Sequence, residues 1–108
     1  MLPAYSEDSP DRAALEATAG LVVVEFGSNE CGICRAALPL IASAMAATSI
    51  PHVRIQDGKG RRLGRSYGIK LWPTLVLLQD GREIARVVRP QTVAEITAAL
   101  QKLTTPLG

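Results

Sequence analysis

The sequence has few cysteine, histidine and aromatic residues. It contains two cysteines, one histidine, one tryptophan, two tyrosines and one phenylalanine. Because aromatic residues are scarce, a core must consist mainly of Leu, Val, Ile and Ala. A single, closely spaced cysteine pair is the wrong pattern for the disulfide frameworks of small secreted proteins. With 108 residues, of which 47% are hydrophobic, the chain has the size of one domain with a substantial core.

Excess charge and long apolar runs are lacking as well. The net charge of +2 is too small to indicate nucleic-acid binding, and the basic stretch from Lys59 to Arg65 is interpreted as a solvated loop or short helix. No apolar run approaches the roughly 20 residues that span a bilayer, and the start of the chain lacks the apolar region of a secretory signal. We therefore expect a single cytoplasmic domain over residues 1–108, with no nucleic-acid or membrane partner.

The apolar pattern predicts alternating helices and strands. Residues 21–26 are apolar on both faces, which is typical of a central strand that is covered on both sides. Asp80-Gly81 is a hairpin turn signal, and residues 92–95 form a capping box that begins the last helix. Parallel crossovers followed by an antiparallel hairpin predict a small mixed sheet with helices on both faces. The predicted elements are helix 11–18 with Ser9 as its N-cap, strand 21–26, helix 32–48, strand 52–56, short helix 60–67, strands 75–79 and 82–88, and a final helix that ends near residue 103.

Cys31-Gly32-Ile33-Cys34 lies where the first predicted strand gives way to a helix. Two thiols at this spacing can close a small disulfide ring. At a helix start, backbone N–H groups and the helix dipole favour the thiolate, which is the nucleophile in disulfide exchange. A zinc site usually has four nitrogen or sulfur ligands, and only His52 adds to the two cysteines, so a metal site within one chain fails on ligand count. The motif therefore indicates redox chemistry.

Together with its surroundings, this motif resembles the thioredoxin family over nearly the whole chain. The resemblance implies an α/β thioredoxin fold with a four- or five-stranded mixed sheet and helices on both faces. Two arrangements are open at the start of the chain. Either Ala4-Tyr5 forms the stub of a first strand, or this strand is missing and residues 1–8 are flexible. The residues that carry the resemblance are Val23-Val24-Glu25-Phe26, Cys31-Gly32-Ile33-Cys34-Arg35, Pro39, Tyr67-Gly68-Ile69, Trp72-Pro73-Thr74-Leu75 and Asp80-Gly81.

The resemblance implies a role for each thiol. Cys31 is the more exposed thiol and attacks a substrate disulfide. Cys34 lies about one helical turn further in and resolves the mixed disulfide by attacking Cys31, which releases the reduced substrate. The substrates are protein disulfides, no cofactor is bound, and electrons come from a partner similar to thioredoxin reductase.

Glu25 is the third candidate catalytic residue. A carboxylate between Val24 and Phe26 is costly to bury in its ionised form, so we expect its pKa to rise if it is buried. The family usually has Asp here, and the resemblance implies that Glu25 passes a proton to or from Cys34. The lysine that often pairs with this acid is missing, and His52 or Arg54 takes its place. The alternative is a glutamate at a strand end that faces solvent.

The candidate substrate-binding residues are Gly32, Ile33, Trp72, Pro73 and Arg89. The resemblance implies a cis peptide bond before Pro73, which presents the backbone of Trp72 to an extended substrate segment. Trp72 is interpreted either as a docking surface or as a side chain packed under a loop. The sequence departs from the family's W-C-G-P-C motif at Glu30 and Ile33. In addition, Arg89 replaces a glycine that is typical of the family. The bulk and positive charge of Arg89 suggest that this chain binds fewer partners than a typical member of the family and that these partners are acidic.

Three hypotheses follow from these residues. The first is a thiol–disulfide oxidoreductase that acts on proteins. The second is a binding or assembly factor with the same fold and little redox turnover, which docks through Trp72, Ile33 and Arg89. The third is a dimer that shares zinc between the Cys31 and Cys34 thiols of two chains.

Overall fold

A computed structural model describes residues 2–103 of the chain. The described residues form four helices and one four-stranded sheet, which confirms the predicted fold class. None of these helices is both long and apolar enough to cross a membrane. The elements are α1 (Arg12–Glu16), β1 (Leu21–Gly27), α2 (Gly32–Ala46), β2 (His52–Gln56), α3 (Arg62–Ser66), β3 (Thr74–Gln79), β4 (Arg82–Val88) and α4 (Val93–Leu103).

The sheet is mixed, with the strand order β2-β1-β3-β4. Strand β1 pairs with β2 in parallel and with β3 in antiparallel orientation, and β3 pairs with β4 as a hairpin. Both central turn residues of that hairpin, Asp80 and Gly81, have positive φ angles of 51° and 80°. This backbone conformation is the one that two-residue hairpin turns favour.

Two apolar layers cover the two faces of the sheet. Val23 packs with residues of α2 and α4, whereas Val22, Val24 and Phe26 pack on the opposite face with residues of α1 and α3. Successive side chains of a strand point to opposite faces, so the continuous apolar run of β1 fills both layers. By the same alternation, Glu25 shares the face of Val23, which is the face that α2 covers.

Helix α1 begins later than the sequence predicts. The prediction that Ser9 caps this helix is wrong. Asp11 has the extended backbone of an N-cap, and its carboxylate accepts a hydrogen bond of 2.8 Å from the Ala14 N–H. Aspartate is among the best N-cap residues, and it stands directly before the first helical residue.

The segment before α1 joins the sheet edge at a single point. The Ser6 N–H donates to the Arg54 carbonyl at 2.8 Å, and the Ser6 carbonyl accepts from the Gln56 N–H at 2.9 Å. These bonds form one isolated parallel bridge between Ser6 and Ile55. The adjacent Tyr5 is buried with 5% of its surface exposed, so the start of the chain covers the edge of β2 without adding a full strand.

Candidate active site

The two thiols lie at the first turn of α2 with different exposures. Cys31 is the N-cap residue of α2, and its Sγ accepts a hydrogen bond of 3.2 Å from the Cys34 N–H. Cys31 is partly exposed, whereas Cys34 is buried with 2% of its surface accessible. Gly32, the first residue of the helix, is exposed beside them. A substrate disulfide can therefore reach Cys31 before Cys34.

The environment of Cys31 favours its thiolate. Partial burial raises the pKa of this thiol, but hydrogen bonds from the Cys34 thiol and from the backbone N–H groups of Cys34 and Ile33 lower it. The nearby positive charge of Arg89 lowers the pKa of Cys31 further, and the net pKa lies below the ordinary value. Cys31 is therefore the better nucleophile of the pair near neutral pH.

The environment of Cys34 has the opposite effect. Burial and the hydrogen bond that it makes with Cys31 raise the pKa of Cys34 to about 11, although the Ser28 backbone and the Tyr5 side chain act in the other direction. Cys34 is protonated near neutral pH, so it must lose a proton before it can attack a disulfide.

Glu25 is fully buried on the α2 side of the sheet, with four hydrogen-bond contacts. Arg54 donates to both carboxylate oxygens, from Nε to Oε1 at 3.0 Å and from Nη2 to Oε2 at 3.0 Å. The His52 Nε2 lies 2.8 Å from Oε1, and the Tyr5 hydroxyl donates to Oε2. His52 and Arg54 together therefore take the place of the missing lysine.

The expected rise of the Glu25 pKa is wrong. Burial alone raises the pKa, but the hydrogen bonds from His52 and Arg54, the charge of Arg54 and the hydrogen bond from Tyr5 bring it below the ordinary value. The carboxylate is therefore held in its ionised form. Two of its partners, Arg54 and His52, lie on the neighbouring strand β2, where Arg54 is directly opposite Glu25.

Residues from two loops complete the site beside Cys31. The Trp72–Pro73 peptide bond is cis, as the resemblance implies. The Arg89 N–H donates to the Pro73 carbonyl at 2.9 Å, and the Arg89 Nε donates to the Trp72 carbonyl at 2.8 Å. Arg89 has a φ angle of 49°, in the left-handed region that favours the glycine typical of the family. The structure thus brings Trp72, Pro73 and Arg89 together next to the thiols.

The side chains at the rim differ in how firmly they are held. Trp72 is half-buried, and its indole Nε1 donates to the Asp57 carboxylate at 2.9 Å. This hydrogen bond fixes the ring against the loop that follows β2. Ile33 and Leu71 are each 46% exposed. Ile33 and Arg89 line the same shallow groove. Of the apolar side chains beside the thiols, Ile33 is therefore more exposed than Trp72.

Sequence reasoning missed two residues that shape the site. Asp57 follows β2 directly, and its bond to Trp72 depends on two loops that are distant in sequence. The sequence predicts Tyr5 only as part of a strand stub, whereas its hydroxyl contacts Glu25. The sequence does predict His52 or Arg54 as a partner of Glu25, but Tyr5 carries no local signal. Within residues 2–103, no group of three or more His, Cys, Asp or Glu side chains could hold a metal ion.

Comparisons with known proteins agree with this geometry. A family model described as Thioredoxin matches residues 6–102. The chain is 38% identical over 72 residues to the thioredoxin of Chlamydia pneumoniae. This alignment covers 64% of this chain and 69% of that protein. It is 29% identical over 101 residues to protein disulfide-isomerase A3 of Gallus gallus. This alignment covers 92% of this chain and 20% of that protein.

A solved structure extends the similarity to nearly the full length. The reduced form of thioredoxin 2 from Pseudomonas aeruginosa PAO1 superposes with a TM-score of 0.86 at 47% sequence identity. The superposition covers 95% of this chain and 96% of that one.

Replacing Arg89 tests its effect on the nucleophile. In Arg89→Gly we expect the pKa of Cys31 to rise, because a positive charge near the thiolate is removed. Exposed charge pairs are worth about 0.2–1 kcal/mol, so alkylation of Cys31 by iodoacetamide at neutral pH should slow by up to about fivefold. Arg89→Lys retains the charge and should react at nearly the wild-type rate. Equal rates for the wild type and Arg89→Gly would contradict the assignment.

Replacing Glu25 tests the buried cluster. Glu25→Gln leaves Arg54 buried without its counter-charge, which should reduce the free energy of unfolding in urea by about 3–5 kcal/mol at neutral pH. Because the pKa of Glu25 is lowered in the folded state, its contribution is present above the unfolded-state pKa and is lost as the pH falls through the folded-state value. The difference from the wild type should therefore shrink below about pH 4.

Glu83→Gln is the matched control for this variant. Glu83 also accepts a hydrogen bond from an arginine, Arg86 at 2.6 Å, but both side chains are about one-third exposed. Its loss should cost less than about 1 kcal/mol. If Glu25→Gln is no more destabilising than Glu83→Gln, the buried pair does not stabilise the fold as described.

Proposed function

This chain belongs to the thioredoxin family and is a thiol–disulfide oxidoreductase, and we propose that Cys31 and Cys34 carry out the exchange in that order. The observation that supports this order is the difference between the two thiols. Cys31 is partly exposed with a lowered pKa, whereas Cys34 is buried with a pKa raised to about 11. The first thiol suits attack on an incoming disulfide, and the second suits reaction after the substrate is attached.

The proposed reaction has two steps. The Cys31 thiolate attacks one sulfur of a substrate disulfide, which forms a mixed disulfide and releases the other substrate sulfur as a thiolate. Cys34 then loses its proton and attacks the Cys31 Sγ. The Cys31–Cys34 disulfide forms as the mixed disulfide breaks, and the substrate leaves fully reduced. The substrate gains two electrons, and the cysteine pair loses them.

We propose that Glu25 acts on the resolving step. Its lowered pKa keeps it ionised near neutral pH, so it is a weak acceptor for the proton of Cys34. Its carboxylate is better suited to orienting the groups around that thiol, since it accepts a hydrogen bond from the Tyr5 hydroxyl. Glu25 is on this view a positioning residue in the site.

We propose that substrates dock as an extended segment across Gly32, Ile33, Trp72, Pro73 and Arg89. Exposed Ile33 offers an apolar contact, and Arg89 adds positive charge, which favours acidic segments. The Arg89 Nε already donates to the Trp72 carbonyl, a group that strand addition would use. A docking substrate therefore shares or displaces this bond.

We further propose that the chain acts on protein disulfides as a single domain in the reducing cytoplasm, with a reductase similar to thioredoxin reductase as its electron donor. The two cysteines of the sequence both lie in the site, so the chain has no structural disulfide that a reducing setting would break.

One observation favours a second candidate function. Because the Arg89 Nε already donates to the Trp72 carbonyl, most disulfide substrates would dock poorly there and the thiols would turn over slowly, as in a binding or assembly factor.

Insulin reduction by dithiothreitol separates these two functions. We expect the wild-type protein to accelerate insulin precipitation at least about tenfold over dithiothreitol alone, because its lowered thiol pKa supplies more thiolate. Cys31→Ser should be inactive. Cys34→Ser should accumulate a mixed disulfide with the substrate, visible by mass spectrometry. A wild-type rate no higher than that of Cys31→Ser would support the binding factor instead.

The effect of Glu25 on resolution can be followed with dithiobis-nitrobenzoate. Attack by Cys31 releases a first coloured thiolate, and resolution by Cys34 releases a second. In Glu25→Gln we expect the second release to slow several-fold, because an amide N–H would face the donors Arg54 or Tyr5 and disturb their orientation. The first release should be unaffected. If the second release keeps its wild-type rate at every pH, Glu25 has no part in the step.

A further inference from the structure

Tyr5 is fixed beside the thiols by contacts on several sides. Its N–H donates to the Asn29 Oδ1 at 2.8 Å, and its carbonyl accepts from the Asn29 Nδ2 at 3.0 Å. The Arg54 guanidinium lies over its ring, 4.1 Å from the ring centre. The side chain is therefore held in one place, although it belongs to the start of the chain.

Gly27 at the end of β1 makes room for the Tyr5 ring. A Cβ atom at this position would lie 2.3 Å from the Tyr5 Cζ and 2.4 Å from its hydroxyl oxygen. Neither distance is compatible with a side chain, so only glycine allows the hydroxyl to reach this depth. The position of the Tyr5 hydroxyl therefore depends on the absence of a side chain at Gly27.

The Tyr5 hydroxyl lies close to both Glu25 and Cys34. It donates to the Glu25 Oε2, and its proximity to the Cys34 thiol lowers the pKa of that thiol. Tyr5 and Cys34 line the same cleft of about 120 Å³, which has room for water. The hydroxyl that contacts the Glu25 carboxylate is thus carried by a residue that shares a cleft with the thiol that resolves the mixed disulfide.

Glu25 does not depend on this hydroxyl for its charge. When the proton turns away, Arg54 still donates to both carboxylate oxygens, and His52 still lies 2.8 Å from Oε1. Burial raises the pKa of Tyr5 well above its ordinary value, and the neighbouring Glu25 carboxylate raises it further. Tyr5 therefore remains a neutral donor.

The titratable groups around the Cys34 thiol are Tyr5, Cys31, Glu25 with its partners Arg54 and His52, and Arg35 at the cleft.

We propose that Tyr5 is a further catalytic residue, whose hydroxyl turns its proton from Glu25 to the Cys34 sulfur and stabilises the resolving thiolate. This inference rests on the proposed order of attack by Cys31 and Cys34. It assigns the stabilisation of the resolving thiolate to a residue from the start of the chain, held in place by Gly27 and oriented by Glu25.

Resolution proceeds by one displacement at the Cys31 sulfur. In the mixed disulfide, the Cys34 thiol gives its proton to water in the cleft, while the Tyr5 hydroxyl rotates and donates to the new thiolate. The Cys34 sulfur forms a bond to the Cys31 Sγ, and the bond from Cys31 to the substrate sulfur breaks. The substrate sulfur leaves with the electron pair of that bond and takes a proton from water. Tyr5 returns to Glu25 unchanged.

Tyr5→Phe tests the proposal, because it removes the hydroxyl and keeps the ring that fills the space at Gly27. With dithiobis-nitrobenzoate in stopped flow, the first thiolate release reports attack by Cys31 and should keep its wild-type rate. The second release reports resolution by Cys34 and should slow about tenfold at neutral pH, which corresponds to about one unit in the pKa of Cys34. The deficit should persist between about pH 6 and pH 8, since burial, the largest cause of the raised Cys34 pKa, remains in the mixed disulfide.

Tyr67→Phe is the matched control. Tyr67 is also buried, and within residues 2–103 its hydroxyl is the buried side-chain polar atom without a hydrogen-bond partner. Its removal should leave both releases unchanged. If Tyr5→Phe keeps the wild-type rate of the second release, or slows both releases equally, the inference is overturned while the proposed exchange stands. If Cys31→Ser keeps the fast first release and Cys34→Ser loses it, the order of the two thiols is wrong and the inference fails with it.

Discussion

The buried carboxylate of Glu25 is the constraint on which the rest of the site depends. An ionised carboxylate with none of its surface exposed requires an opposite charge and several hydrogen-bond donors. Arg54 and His52 supply them from β2, and Tyr5 supplies one from the start of the chain. A shift of one residue in the β1–β2 register would turn Arg54 to the other face. The cluster therefore specifies both the strand register and the path of the chain before α1.

Burial and position at the start of α2 explain how two cysteines so close together acquire different chemistry. Cys31 stands at the start of α2, where backbone N–H groups and Arg89 stabilise its negative charge. Cys34 faces the sheet, where burial opposes ionisation and the Tyr5 hydroxyl is a polar partner. The lowered pKa of Cys31 makes this thiol reactive near neutral pH, whereas Cys34 reacts only after it loses its proton. This difference favours one order of attack, because a resolving thiol that ionised equally readily would compete for the substrate.

Much of the fold could be predicted from sequence, because its signals are local. The apolar run of β1, the Asp80-Gly81 turn and the Cys31–Cys34 motif each span a few residues, and each leads to the observed element. The pKa of Glu25 could not be predicted in the same way. Burial could be foreseen from its apolar neighbours, but the direction of the shift depends on Arg54 and His52, which become neighbours only when β2 pairs with β1.

The central claim is that the two thiols differ in acidity in the order that the exchange reaction needs. A titration of the reduced protein that follows the Cβ chemical shifts of Cys31 and Cys34 separately by NMR tests this claim most directly. The account predicts that Cys31 ionises first, below the ordinary pKa of a thiol, and that Cys34 ionises near pH 11. Ionisation of both thiols at one common pH, or of Cys34 before Cys31, would contradict it.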